Sequence, residues 1–131
     1  MPIDQAEATN QLKAETGKAV YVATVTPLRG RLTTTNGTAT AAGTEVANSG
    51  GSTYASQDAS AALGTPAAGS VTTTGALTWS NLPGATIVGI ELWDSAGTPV
   101  RKRFGPLTAS KTVALGDSLT MAAGALVLTQ A

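Results

Sequence analysis

Cysteine and histidine are both absent from this chain of 131 residues. Without cysteine there is no disulfide, no thiolate nucleophile and no sulfur ligand. Without histidine there is no imidazole for acid–base work, and the usual nitrogen ligand of zinc is missing as well. Aromatic residues are scarce at 4%: Tyr21, Tyr54, Trp79, Trp93 and Phe104. The apolar fraction of 42% comes largely from alanine, which buries little area per residue, so the core is lean. Charge is also sparse, with eight basic and eight acidic residues and a net of zero. A nucleic-acid partner calls for a basic excess or a basic face, and neither is visible apart from Arg101, Lys102 and Arg103. Neutrality suits a protein that ends up in an assembly better than a free monomer. No run of 18 apolar residues is present, so no membrane-spanning helix is expected. The N-terminal stretch lacks the apolar core of a secretory signal, which points to synthesis in the cytoplasm.

What is present divides in two. Residues 1–18 read as a short helix or arm. Ala6, Glu7, Ala8, Gln11, Leu12, Lys13, Ala14 and Glu15 are good helix formers, Asp4 suits the cap, and Gly17 sits where a C′ glycine ends a helix. Its apolar stripe is thin, consisting of Ile3, Ala8 and Leu12, so the arm needs a surface to dock on. Residues 19–131 read as a β domain. Ala19–Thr26 is β-branched and aromatic and predicts a first strand; Leu28–Thr33 predicts a second. Asn36-Gly37 signals a turn, Ser52–Gln57 a short strand, and Ala59–Ser70 a long surface loop.

Strands are also expected at 71–74, 76–79, 86–93, 98–104, 112–115, 118–121 and 125–129, with Gly105-Pro106 as a break. In the strand Thr86–Trp93, Val88, Ile90 and Leu92 point one way and Ile87, Glu91 and Trp93 the other. Many short strands separated by turn residues describe an all-β fold, an antiparallel β-sandwich or small barrel carrying the N-terminal helix or arm. No repeat of a fibrous shaft is encoded.

The residues offer little chemistry. The acids are scattered and expected at exposed turns and edges, so a facing carboxylate pair of the kind a glycosidase uses is not predicted. Calcium loops need denser oxygen ligands than Gly43–Gly51 supplies. Ser110-Lys111 places a hydroxyl beside an amine, but strand neighbours face opposite ways. No catalytic residue, cofactor or metal is therefore expected, and the chain is read as a structural or binding protein. Arg101, Lys102 and Arg103 admit two readings. Charges there guard an edge strand against unwanted pairing, or they dock on an acidic partner surface together with Ile3 and Leu12 of the arm. Trp79 and Trp93 have a core reading and, if exposed, a sugar-stacking one.

Three strings carry a resemblance: LTTTNGTATAAGTEVANSGGSTYASQDA at 32–59, LTWSNLPG at 77–84 and GIELWDSAGT at 89–98. Over residues 28–130 the chain resembles small virion proteins of tailed phages that infect actinobacteria, labelled tail fibre, minor tail or capsid decoration proteins. It departs from their pattern at Thr35-Asn36-Gly37-Thr38, where relatives carry a Thr-Ala-Asp-Pro-Gly turn, and in the arm. The resemblance implies a virion structural protein. Capsid decoration is the favoured expectation, with the arm docking on shell subunits, the major capsid protein or other virion proteins as partners, and a homotrimer as the assembly. A minor tail or fibre-associated protein contacting the host is the alternative, and a carbohydrate-binding β-sandwich a further one. Nucleic acid and membrane are not expected partners.

Overall fold

The computed structural model describes residues 1–130, so the last residue of the expected β domain, Ala131, lies outside it. In chain order the elements are α1 (Gln5–Glu15), β1 (Arg29–Thr33), β2 (Gln57–Asp58), α2 (Ala59–Ala62), β3 (Ser70–Thr72), β4 (Leu77–Trp79), β5 (Ala85–Trp93), β6 (Arg101–Val113), β7 (Leu119–Met121) and β8 (Val127–Thr129). A four-stranded antiparallel sheet runs β2-β1-β5-β6, and two small antiparallel sheets pair β3 with β8 and β4 with β7. No sheet among the described residues closes into a barrel. The sandwich alternative of the sequence reading is the one that matches this all-β architecture with its N-terminal helix.

The core lies between the large sheet and the small ones. Leu32, Ile90 and Leu92 from the large sheet meet Leu77, Trp79 and Leu126. Trp79 is fully buried, and its indole Nε1 donates to the Gly30 carbonyl at 3.1 Å while the ring packs on the side-chain-free face of that glycine. Tyr54 fills another gap: its hydroxyl accepts from the Leu32 amide at 2.9 Å and donates to Glu45 Oε1 at 3.1 Å. Burial pushes the Tyr54 phenol well above the ordinary value.

Several expectations are corrected. Ala19–Thr26 forms no strand; it runs over the surface with Val20 91% and Val22 76% exposed. β-branched residues favour a strand only where a neighbouring sheet offers pairing, and none reaches this segment. Ser52–Gln57 has no regular structure until its last residue, where it enters a ladder as the first residue of β2. Ala59–Ser70 contains a helical turn, α2, capped by the Asp58 side chain and burying Ala59 and Ala62. Gly105-Pro106 does not end β6. Pro106 pairs with Gly89 beside a register irregularity, a position where a missing backbone N–H is tolerated. The same irregularity, between Ile87 and Gly89, breaks the alternation of β5, so Ile87 is buried together with Ile90 and Leu92. The turn after β1 falls at Thr38–Ala41 rather than at Asn36-Gly37.

β6 has a second neighbour. Pro2–Asp4 runs antiparallel along its outer side, with Ile3 opposite Arg103. The Asp4 amide donates to the Lys102 carbonyl and the Phe104 amide to the Pro2 carbonyl, both at 3.1 Å. This edge is therefore protected by the chain's own N-terminal segment rather than by the charges of the basic triplet.

Candidate functional site

The most densely connected polar cluster is the junction where the arm meets β6. Helix α1 starts at Asp4, which takes an extended backbone conformation; its Oδ1 accepts from the Ala6 amide at 2.8 Å. The other carboxylate oxygen, Oδ2, faces Arg101. One acid thus caps the helix and binds it to the β domain.

Arg101 is 4% exposed, and its guanidinium makes four hydrogen bonds. Nε donates to Asp4 Oδ2 at 2.9 Å, and Nη2 lies 2.7 Å from the same oxygen. Nη1 donates to Glu91 Oε1 at 3.0 Å and to the Ala41 carbonyl at 2.8 Å, and Nη2 donates to the Thr38 carbonyl. Its guanidinium also lies over the Phe104 ring, 4.5 Å from the centroid. Glu91 is satisfied in turn by the Gly43 amide at 2.7 Å and the Trp93 indole at 3.0 Å. The loop 34–44 therefore folds over the sheet face opposite the apolar core and is sealed by one cation between two acids. Gly37 sits on the Glu91–Arg101 pair so closely that any side chain there would collide with both.

Next to it lies Glu7, buried although it belongs to an otherwise exposed helix. Lys102 Nζ donates to its Oε2 at 2.9 Å; Gln11 Nε2 donates to Oε1 at 3.2 Å, as does the Tyr21 hydroxyl. Burial pushes the Glu7 carboxyl up, but the bonds from Lys102, Tyr21 and Gln11, aided by the lysine's charge, outweigh it and hold the group below the usual 4.5. Tyr21 responds in the opposite direction: burial first, then the bond to Glu7 and its charge, push the phenol up to about 12. Arg103 ties together both described ends, donating to the carbonyls of Met1 at 3.1 Å and Thr129 at 2.9 Å and to Gln130 Oε1 at 2.8 Å. Burial lowers its pKa, against the charges of Glu7 and Tyr21.

Four of the five docking residues read from the sequence therefore meet at one place: Ile3, Arg101, Lys102 and Arg103. Their contacts in the structure are internal. Leu12 remains apart, on the solvent side of α1 and 59% exposed. The sequence reading missed Asp4 and Glu7 as counter-charges for the triplet and placed Glu91 and Asp94 at the surface. Both are buried, Asp94 because its Oδ1 accepts from the Val100 amide at 2.8 Å and from the Ala96 amide at 3.3 Å, closing the β5–β6 connection. The available signal was the spacing of Asp4 and Glu7, which places two carboxylates on one side of a helix start.

This junction holds no free nucleophile or base: each of its carboxylates is matched by an internal cation. No group of three or more potential metal-ligating side chains occurs among the described residues. Nor is any helix there long and apolar enough to cross a membrane. Trp79 is inside the core, and Trp93 carries the Arg31 guanidinium 4.4 Å from its ring centroid. The Trp79 indole therefore offers no face to a sugar ring, and one face of the Trp93 indole is taken by Arg31. A recess of about 400 Å³ lies between Met1, Pro106, Leu107, Met121 and Val127.

No curated protein matches the chain. The family model described as podophage GP4 fiber I protein gp80 does match it, over residues 6–129, which takes in all but the first residue of α1 and every strand, β1 to β8. The chain belongs to this family of phage fibre proteins and is a structural protein of the virion.

Proposed function

We propose that the chain is a compact, non-catalytic module of the particle's tail fibre, which works by presenting a folded surface to other virion proteins and to further copies of itself. The observation that carries this reading is the reach of the family match, which includes nearly all of helix α1 as well as the sheets. The architecture is in keeping with it. A lean core is reinforced by buried ion pairs, and the polar groups of the arm junction are consumed in holding the chain together. Such a module is a bead within an assembly, since the sequence has no shaft-forming repeat.

The test is location and copy number. Gold-labelled antibody or an image of the intact particle should place the protein on the fibre, and quantitative gel analysis should give a few tens of copies at most. Labelling of the head surface at hundreds of copies would overturn the fibre reading in favour of capsid decoration.

A further inference from the structure

The arm is joined to the β domain by a segment whose backbone contributes almost nothing to its own copy. From Val20 to Thr24 no backbone group has a backbone partner among the described residues. Its backbone is fixed at its ends, and between them the Tyr21 hydroxyl donates to Glu7 of the arm. Lys18 and Ala19 donate back to the Lys13 carbonyl at 2.8 and 3.2 Å, and the Val25 carbonyl accepts from the Ser95 amide at 2.9 Å. Gly17, at φ +70°, supplies a pivot between helix and segment. No charge occurs between Lys18 and Arg29.

The arm itself is held by directional bonds that any copy's β6 offers equally. Acidic Asp4 and Glu7 fit basic Arg101 and Lys102, and Pro2–Asp4 pairs along the strand edge. We propose that neighbouring copies of this chain exchange arms, residues 1–17 of one copy docking on β6 of the next. Each bond that opens within a copy re-forms between copies, so concentration and the connecting segment set the balance. Fully extended, the nine residues Lys18–Thr26 reach roughly 30 Å, enough to cross to a neighbour. In the exchanged form two connecting segments run beside each other. Their β-branched residues then find the backbone pairing they lack in one copy, and the absence of charge leaves nothing to oppose it. The net charge of zero likewise sets no repulsion between copies. Arm exchange is a matter of assembly alone and holds whichever part of the virion carries the protein.

The chain's lack of cysteine makes a clean test. Ile3 and Arg103 face each other as a non-hydrogen-bonded antiparallel pair, the geometry in which two side chains approach most closely. Full-length Ile3→Cys and Arg103→Cys chains are unfolded together, refolded at high concentration and oxidised. Arm exchange predicts a disulfide between the two different chains. The chain carrying both substitutions, refolded alone, should give covalent dimers or closed rings on a non-reducing gel. Val22→Lys puts a charge into the connecting segment without touching the arm's docking bonds. It should weaken association at least about tenfold by sedimentation while leaving the melting transition unchanged. The proposal is overturned if the double variant gives only monomers with an internal disulfide. It is equally overturned if the unmodified chain stays monomeric at all concentrations, or forms oligomers indifferent to Val22→Lys with no mixed disulfide.

Discussion

Arg101 and Glu91 form an ion pair of 3.0 Å in which neither side chain exposes more than 4% of its surface, and Gly37 closes over it. A pair so enclosed contributes less to net stability than its geometry suggests, because both ions were stripped of water to form it. Removing one partner, however, strands the other. Arg101→Met leaves two acids, Asp4 and Glu91, without their shared cation. The expected loss is about 3–5 kcal/mol in denaturant unfolding. The triple change Arg101→Met, Glu91→Gln, Asp4→Asn should recover part of that loss, since no charge is then left unpaired.

Gly37 gives a second prediction at the same place. Gly37→Ala must push the loop 34–44 off the pair, because the added methyl collides with Glu91 and Arg101. A cost of about 1–3 kcal/mol is expected, as for other insertions into filled space. Gly97→Ala, which meets nothing within 4 Å, serves as the control with little change in unfolding midpoint.

The arm should come away before the sheets unfold. Glu7→Gln keeps the shape of the side chain but loses the charge that Lys102 faces, a bond worth about 1.5–3 kcal/mol. Limited proteolysis should then cut after Lys18 faster than in the parent chain, while the main melting transition moves little.

Acid should do the same without mutation. The Glu7 carboxyl titrates below 4.5 in the folded chain, so its stabilisation is complete above that value and is lost as pH falls through the lowered one. Proteolytic release of the arm should rise across this window. At the alkaline end the sign reverses. The Tyr21 phenol titrates at about 12 against an ordinary 10.0, so its contribution is complete below pH 10.0 and disappears on the way to about 12. Tyrosinate absorbance should accordingly develop above the ordinary tyrosine range. Titration of Tyr21 near pH 10.0 in the intact protein would contradict the Glu7–Tyr21 bond.

The two tryptophans should separate in the same experiments. Trp79→Ala removes a fully buried indole and its bond to Gly30, with an expected cost of about 3–5 kcal/mol. Trp93 is only half-buried and is held by Glu91 and Arg31, so its replacement should cost clearly less in the same unfolding assay.

How much of this was legible in the residues depends on distance along the chain. The helix was readable, because its signals, Asp4 at the cap and Gly17 beyond the end, are local. β5 was readable from its β-branched run, and the fold class from the spacing of turn residues. Ala19–Thr26 was misread because strand propensity describes a residue's fit to a neighbouring sheet, which a single stretch of sequence does not contain. The arm junction was unreadable for a related reason. Asp4 finds Arg101 across 97 positions and Glu7 finds Lys102 across 95, so the charges that cancel in space look unrelated in sequence. Three adjacent cations then read as an exposed patch, while the irregular register of β6 in fact sends them to three separate internal partners.

Arg103 gathers the carbonyls of Met1 and Thr129 and the side chain of Gln130 around one guanidinium. Polypeptide appended before the first of these residues or after the last departs from a single pole of the molecule. Fused reporters at either terminus would thus crowd the same side, and a surface tether through one terminus would hide the other.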